Sequence, residues 1–164
     1  EAAEPLLADG QAELTIVGDG PERAALQERA ARSAHAAAIH FAGQVAHQQV
    51  CEHFAAADLF VFPSIREFGG AVVLEAMAMG AVPIVVNYGG PAELVTPATG
   101  FFLDIGPRSQ IVQSLRRTIE TIAANPASLL QKITAGQQRV ESEFTWQAKA
   151  KQVVEVYKQV RKSA

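Results

Sequence analysis

The stretch "DLFVFPSIREFGGAVVLEAMAMGAVPIVVN", residues 58–87, places an apolar helix between two strand-like runs. The runs Asp58–Ser64 and Pro83–Asn87 are mostly apolar and lack strict alternation, which is typical of strands covered on both faces of a parallel sheet. Gly80 ends the intervening helix, and Pro83 prevents its continuation. The order strand, helix, strand therefore predicts a unit of two parallel strands joined by a helix.

The same alternation extends outward in both directions. Three further strand-like runs are Glu13–Val17, Ala38–Gly43 and Gly100–Asp104. Helical stretches follow each of them, and the pattern predicts an α/β domain with a Rossmann-like, doubly wound parallel sheet and helices on both faces. The first eleven residues, "EAAEPLLADGQ", are predicted to form a loop.

The last third of the chain predicts three helices, with breaks near Asn125-Pro126 and at Glu143–Thr145. Thr145 is a plausible N-cap for the final helix. That helix carries an apolar stripe, most simply a face packed on the core, and the stripe comprises Trp146, Val153, Val156, Tyr157 and Val160.

Composition limits the classes of function. The chain has 164 residues, 49% of them hydrophobic, and a net charge of −3. Acids and bases are interspersed, so no basic field is available for a phosphate backbone and nucleic acid is not an expected partner. No apolar run approaches the roughly 20 residues that span a bilayer. The lone cysteine, Cys51, fits a reducing compartment, and we expect a cytoplasmic protein that is a fragment or an excised domain, because no methionine precedes Glu1.

Ligands of parallel sheets bind beyond the carboxyl ends of the strands, and three loops there contain glycines: "GDGPE", "REFGG" and "NYGG". In the second loop, Gly69 and Gly70 allow close approach of a ligand, and the helix dipole favours an anion. Glu67 and Glu75 on either side are suited to accept hydrogen bonds from hydroxyls. The loop thus favours a ligand with a phosphate in the middle, at the two glycines, and a hydroxyl-rich sugar at each end, near Glu67 and Glu75. A nucleotide sugar has this composition. Alternatively, Glu75 forms an ion pair with a buried basic side chain, and Glu67 merely precedes the helix. The spacing of the residues alone leaves both hypotheses open.

Other motifs predict less. The "GDGPER" segment, residues 18–23, lacks the third glycine of a dinucleotide-binding turn, and a tight turn is favoured. His47 and Cys51 have a spacing compatible with zinc, but no third ligand is evident and no metal site is predicted. Ser64 does not lie in a G-x-S-x-G motif, so it is not predicted to be the nucleophile of an acyl-transfer enzyme.

The segment "PSIREFGGAVVLEAMAMGAVPIVVNYGGPAELV", residues 63–95, resembles the E-x7-E signature of the retaining, GT-B fold glycosyltransferases. Further matching motifs follow the family's order: "LTIVGDGPER", "HFAGQV", "ADLFVFPS", "TGFFL" and "EFTWQAKA". The resemblance implies that residues 1–164 are a single, partial domain, the donor-binding C-terminal half of a GT-B architecture. It implies hexosyl transfer from a nucleotide-diphosphate sugar to a hydroxyl acceptor with retention of configuration, without metal or cofactor.

The resemblance also implies roles for individual positions. Glu67 would act at the catalytic centre by contacting hydroxyls of the donor sugar near the reacting carbon, and Glu75 would hold the ribose hydroxyls. Val45 would lie against the base. Backbone N–H groups facing the sugar and diphosphate would come from Phe68, Gly69, Gly70 and Ala71.

Two departures from the family accompany the match. The family's basic strand and loop before "LTIVGDGP", and its N-terminal acceptor domain, have no counterpart in this sequence. That domain is therefore an expected partner, the final helix is an alternative docking element for it, and any peripheral membrane association would come only through it. The order "EFGG" also replaces the commoner E-G-F-G. An epimerase-like GT-B enzyme and a non-catalytic nucleotide-binding or interaction module remain alternative functions.

Overall fold

The computed structural model describes residues 1–163, so the predicted boundary at residue 164 lies outside them. The strands are β1 (Leu14–Val17), β2 (Ile39–Gly43), β3 (Leu59–Phe62), β4 (Val82–Val86) and β5 (Phe101–Leu103). The helices are α1 (Glu4–Ala8), α2 (Arg23–Ala31), α3 (His47–Ala55), α4 (Ala71–Met79), α5 (Gly89–Leu94), α6 (Arg108–Ala124), α7 (Leu129–Arg139) and α8 (Trp146–Ser163). Short 3-10 segments, Ala36–Ala38 and Pro126–Ser128, and a π-helical segment, Val140–Phe144, complete the order.

All five predicted strands are confirmed to within two residues at each end, and all their pairings are parallel. The opening segment was wrongly predicted as a loop. Residues Glu4–Ala8 form a short helix, in which Pro5 occupies the first turn and Leu6 and Leu7 are buried. Leu6 packs into the main core, which explains why so short a helix is held.

Helices cover both faces of β4, the only strand buried at every residue among those described. Successive strand residues point to opposite faces. Ile84, like Val82 and Val86, belongs to a core shared with α1, α6 and the start of α7. Val85 instead packs with Val73 and Met77 of α4. This two-sided burial confirms the doubly wound arrangement.

The strands form two sheets rather than one continuous sheet. β1 pairs with β2, while β3, β4 and β5 form a separate three-stranded sheet in that order. The burial of β1 alternates, with Thr15 and Val17 exposed. β2, which like β1 has a single neighbour in its sheet, exposes His40. The prediction that the run Asp58–Ser64 is covered on both faces was wrong at Val61 of β3, which is 38% exposed.

The C-terminal helix begins as predicted, but its apolar stripe does not pack on the core. Thr145 accepts a hydrogen bond from the Ala148 N–H at 3.2 Å, which confirms it as the N-cap. Trp146 is 88% exposed and Tyr157 is 66% exposed. Val153, Val156 and Val160 are exposed too, so the predicted core face was wrong. Helical periodicity identified an apolar face without identifying what covers it.

We expect Thr145→Ala to destabilise the start of α8 by about 1 kcal/mol, because the first turn loses its side-chain acceptor. Hydrogen exchange at the Ala148 amide measures this loss locally. Thr134→Ala is a matched control, since the Thr134 hydroxyl donates to the Leu130 carbonyl in the middle of α7 and caps nothing. Equal protection of the Ala148 amide in both variants would contradict the capping role.

Candidate functional site

Two loops meet beyond the carboxyl ends of β3 and β4. The first carries Glu67 to Gly70 into α4, and the second leads into α5. A Cβ atom at Gly90 would lie 2.0 Å from the Phe68 carbonyl oxygen, and one at Gly70 would lie 3.1 Å from Cγ of Pro91. Gly70 also has a φ of 65°, in the left-handed region that favours glycine. The start of α5 is thus a platform on which the Glu67–Gly70 loop rests.

The carboxylate of Glu67 turns back onto its own loop. One oxygen, Oε1, accepts the Gly70 N–H at 3.0 Å and the Gly69 N–H at 3.2 Å. Hydrogen bonds from Gly70 and then Gly69 lower the pKa of this carboxyl below its usual value. Two of the N–H groups predicted to face a diphosphate are therefore bonded to Glu67. The helix N-terminus already holds an anion, which belongs to the protein.

The pH dependence of this contact follows from the sign of the shift. The folded pKa lies below the unfolded value of 4.5, so the contact stabilises the folded loop above pH 4.5. That stabilisation is lost as the pH falls through the lowered folded pKa. We expect the amide shifts of Gly69 and Gly70 to follow the Glu67 carboxyl in an NMR titration, with a midpoint below 4.5. A midpoint at or above the unfolded value would contradict the contact.

Glu75 lies about one turn into α4 and is half buried. Val73, Ala76 and Met77 lie on the buried face of α4, whereas Ala71 and Met79, one turn to either side of Glu75, are exposed. Within residues 1–163, no hydrogen bond or ion pair of Glu75 is formed. The alternative in which Glu75 pairs with a buried basic side chain thus has no support in the described part of the chain. The carboxylate is thus left within reach of hydroxyl groups that a ligand could present to it.

Val45 lies on the loop between β2 and α3 and is half buried. Val50 in the first turn of α3 and Val72 in the first turn of α4 pack against the same cluster around Phe54 and Ala76. The first turns of the two helices are therefore close, which brings the Val45 loop towards the Glu67–Gly70 loop. The role of Val45 beside the nucleotide base stays a prediction.

The sequence did not predict the exposure of Phe68. This side chain is 99% exposed, and Tyr88 on the neighbouring loop is 54% exposed. The unusual order "EFGG" was the available signal, because it moves the aromatic next to Glu67. The platform role of Gly90 was missed as well, since "NYGG" resembled a ligand loop. Among described residues, His47 and Cys51 join no cluster of three or more metal-ligating side chains.

Comparison with known proteins identifies relatives along most of the chain. The profile of the family described as glycosyl transferases group 1 matches residues 1–139. The glycogen synthase of Mycobacterium tuberculosis is 32% identical over 145 residues, which is 88% of this chain and 34% of that protein. The GDP-mannose-dependent alpha-mannosyltransferase of the same organism is 40% identical over 102 residues, 62% of this chain and 25% of that protein. The chain thus spans about a third of the length of the curated relatives it matches.

Solved structures share the fold over nearly the whole chain. Sucrose-phosphate synthase from Thermosynechococcus elongatus superposes with a TM-score of 0.75 at 28% identity, covering 99% of this chain and 43% of that one. Anabaena HepE, solved in complex with UDP-glucose, has a TM-score of 0.76 at 24% identity, covering 96% of this chain and 44% of that one. The arrangement of strands and helices is that of the C-terminal domain of GT-B glycosyltransferases.

Proposed function

The chain belongs to the group 1 glycosyltransferases, and from that premise we propose that it is the donor-binding domain of a retaining hexosyltransferase. The enzyme would move a sugar from a nucleotide-diphosphate donor to a hydroxyl acceptor. The observation that carries this proposal is Glu75, a half-buried carboxylate with no described protein partner, on the helix at whose N-terminus the Gly69 and Gly70 amides hold the Glu67 carboxylate. Relatives that use nucleotide sugars, and HepE with its bound UDP-glucose, support the choice of ligand.

Each site residue then has a distinct task. Glu75 accepts the two ribose hydroxyls, and its burial is compensated by those hydrogen bonds. Val45 lies beside the base. Glu67 accepts hydroxyls of the transferred sugar. The diphosphate lies at the start of α4, within reach of the N–H groups of Phe68, Gly69, Gly70 and Ala71.

Catalysis by this domain would consist of positioning and charge stabilisation. The donor is held at both ends, so the reacting carbon is fixed relative to the acceptor. The positive end of the α4 dipole stabilises the charge that develops on the departing diphosphate. The chemistry needs no nucleophile from this domain if the leaving diphosphate helps to deprotonate the acceptor. No metal or cofactor is part of the proposal.

The break between the two sheets is wide enough in the strand order for one further strand, which would come from another part of the protein. In the usual doubly wound order 3-2-1-4-5-6, strand 1 lies between strands 2 and 4. If β1 to β5 correspond to strands 2 to 6, the break between β1 and β3 is the position of that first strand. We propose that this strand, the basic residues that neutralise the diphosphate, and an acceptor-binding domain all come from outside these 164 residues.

The exposed stripe of α8 fits the same arrangement. Its apolar side chains lie uncovered along one helix, and such a surface marks an interaction site. We propose that the acceptor-binding domain covers it and that any peripheral membrane association comes through that domain. No helix within residues 1–163 has the length and hydropathy to cross a bilayer. A cytoplasmic location is part of the proposal.

Calorimetric titration with UDP, GDP and ADP and their glucose or mannose conjugates tests the donor-binding role. We expect one base to be preferred and no acceptor-dependent turnover by this chain alone. Efficient sugar transfer by the isolated chain would contradict the need for an acceptor domain. If the longer protein released product without an acceptor, the epimerase-like alternative would be favoured. If neither form bound any nucleotide sugar, a non-catalytic interaction module would replace the proposal.

A further inference from the structure

We propose that Glu67 makes the site discriminate between the intact donor and the free nucleoside diphosphate. Its carboxylate occupies the Gly69 and Gly70 amides whenever no sugar is present, and it competes there with the phosphate of the product. This inference rests on the proposed function, since it assigns a specificity-determining role within the same site.

The contact is built to hold an anion at one place. A single oxygen of Glu67 accepts both amides, at 3.0 and 3.2 Å. Gly70 has a left-handed φ of 65°, and a Cβ atom added there would lie 3.1 Å from Cγ of Pro91. The Phe68 carbonyl oxygen lies close to Gly90, where an added Cβ atom would be 2.0 Å away. The loop therefore directs two N–H groups to one point, and the Glu67 carboxylate is the anion that lies there.

A free diphosphate meets two obstacles at this loop. It has to displace the carboxylate from amides that favour negative charge, and it then lies next to that carboxylate. Within the described chain, Glu67 forms no ion pair that would draw it elsewhere. The displaced carboxylate would lose its hydrogen bonds and gain a like-charged neighbour. Binding of the free nucleoside diphosphate is thus opposed by the protein itself.

The intact donor removes both obstacles with its sugar. Sugar hydroxyls are neutral donors, and a carboxylate has lone pairs to accept several of them. Glu67 can therefore exchange its two amides for hydroxyls, and the amides become available to the phosphate. After transfer the hydroxyls leave with the sugar, Glu67 returns to the amides, and the nucleoside diphosphate is released more readily.

The test compares each nucleoside diphosphate with its sugar conjugate. Calorimetry measures the Kd of UDP and UDP-glucose, and in parallel of GDP with GDP-mannose and ADP with ADP-glucose, for the wild type, Glu67→Gln and Glu67→Ala. We expect both variants to bind the nucleoside diphosphate at least about threefold more tightly and the sugar conjugate more weakly. Glu93→Gln, an exposed residue of α5, is the charge-matched control and should not change the ratio.

A second measurement uses the wild-type chain alone. NMR follows the Gly69 and Gly70 amide shifts against pH with and without the nucleotide sugar. Bound donor should abolish their dependence on the Glu67 carboxyl. A dependence that persists in the bound state overturns the inference.

The outcomes separate this inference from the proposed function. Donor binding that requires Glu75, with a diphosphate Kd unchanged in both Glu67 variants, overturns the inference and leaves the proposed function intact. Absence of binding by the wild type and by both variants, in this chain and in the longer protein alike, overturns the two together, because amides freed from Glu67 would then hold no phosphate. If the two Glu67 variants bind the nucleoside diphosphate more tightly than the wild type does, the inference is supported, since the carboxylate is then the obstacle to binding.

Discussion

Glu75→Gln is expected to weaken nucleotide-sugar binding by roughly ten- to hundredfold, because hydrogen bonds to a charged acceptor contribute about 1.5–3 kcal/mol. The same substitution should leave the free energy of unfolding unchanged or slightly higher. Glu75 is half buried and bonds to no residue that the structure describes, so its charge contributes nothing evident to the folded state. Glu75→Gln is thus expected to lower the affinity for the nucleotide sugar without lowering the free energy of unfolding.

Titration calorimetry and urea unfolding of the same preparations measure the two quantities. Glu93→Gln serves as the control, since it removes one exposed carboxylate from the neighbouring helix α5. The glutamine at position 75 keeps the shape of the side chain, so a loss of affinity reports the charge. A fall in stability with unchanged affinity would mean that Glu75 has a structural partner, and the donor-binding role would have to be abandoned.

Gly90→Ala is expected to destabilise the protein by about 1–3 kcal/mol or more and to weaken donor binding at the same time. The added methyl group would lie 2.0 Å from the Phe68 carbonyl oxygen and 3.3 Å from the carbonyl carbon of Gly69. Those atoms belong to the backbone, so no side-chain rotation relieves the overlap. The loop that carries Glu67 and its amides has to move away from the start of α5.

Gly20→Ala is the matched control for this effect. A Cβ atom at Gly20 meets nothing within 4 Å, and its φ is not in the left-handed region. Such a substitution is neutral or stabilises by up to about 1 kcal/mol through the unfolded state. Thermal unfolding and calorimetry of both variants decide the matter. If Gly90→Ala is as stable as Gly20→Ala and binds the donor equally well, α5 is not the platform of the site.

The parts of the structure that the sequence predicted well are those determined within a few residues. The five strands are such runs of apolar and β-branched residues, and Thr145 caps the helix that follows it. The ends of α4 are equally local, because Gly70 and Gly80 both adopt left-handed conformations there. The glycine that opens α4 in the site loop is one of these signals, and the chemistry of that loop stays a prediction from the E-x7-E resemblance.

The errors concern contacts between distant parts of the chain. The segment Glu4–Ala8 forms a helix because Leu6 finds a core built by α6 and α7. Periodicity alone could not distinguish a stripe buried on the core from the exposed stripe of α8, since both have the same spacing. The division into two sheets depends on which strands are neighbours, and that is absent from the pattern of any single strand.

By itself, the sequence determined the α/β class, the parallel strands, the helix ends and the loop in which two acids flank two glycines. Only the tertiary structure decided that Glu67 is bonded to the amides of its own loop, that Glu75 has no partner among the described residues, and that Gly90 lies directly against the backbone of the Glu67–Gly70 loop. The reason is physical. Local propensity depends on neighbours along the chain, whereas hydrogen-bond partners and steric room depend on which backbone segments the fold brings together.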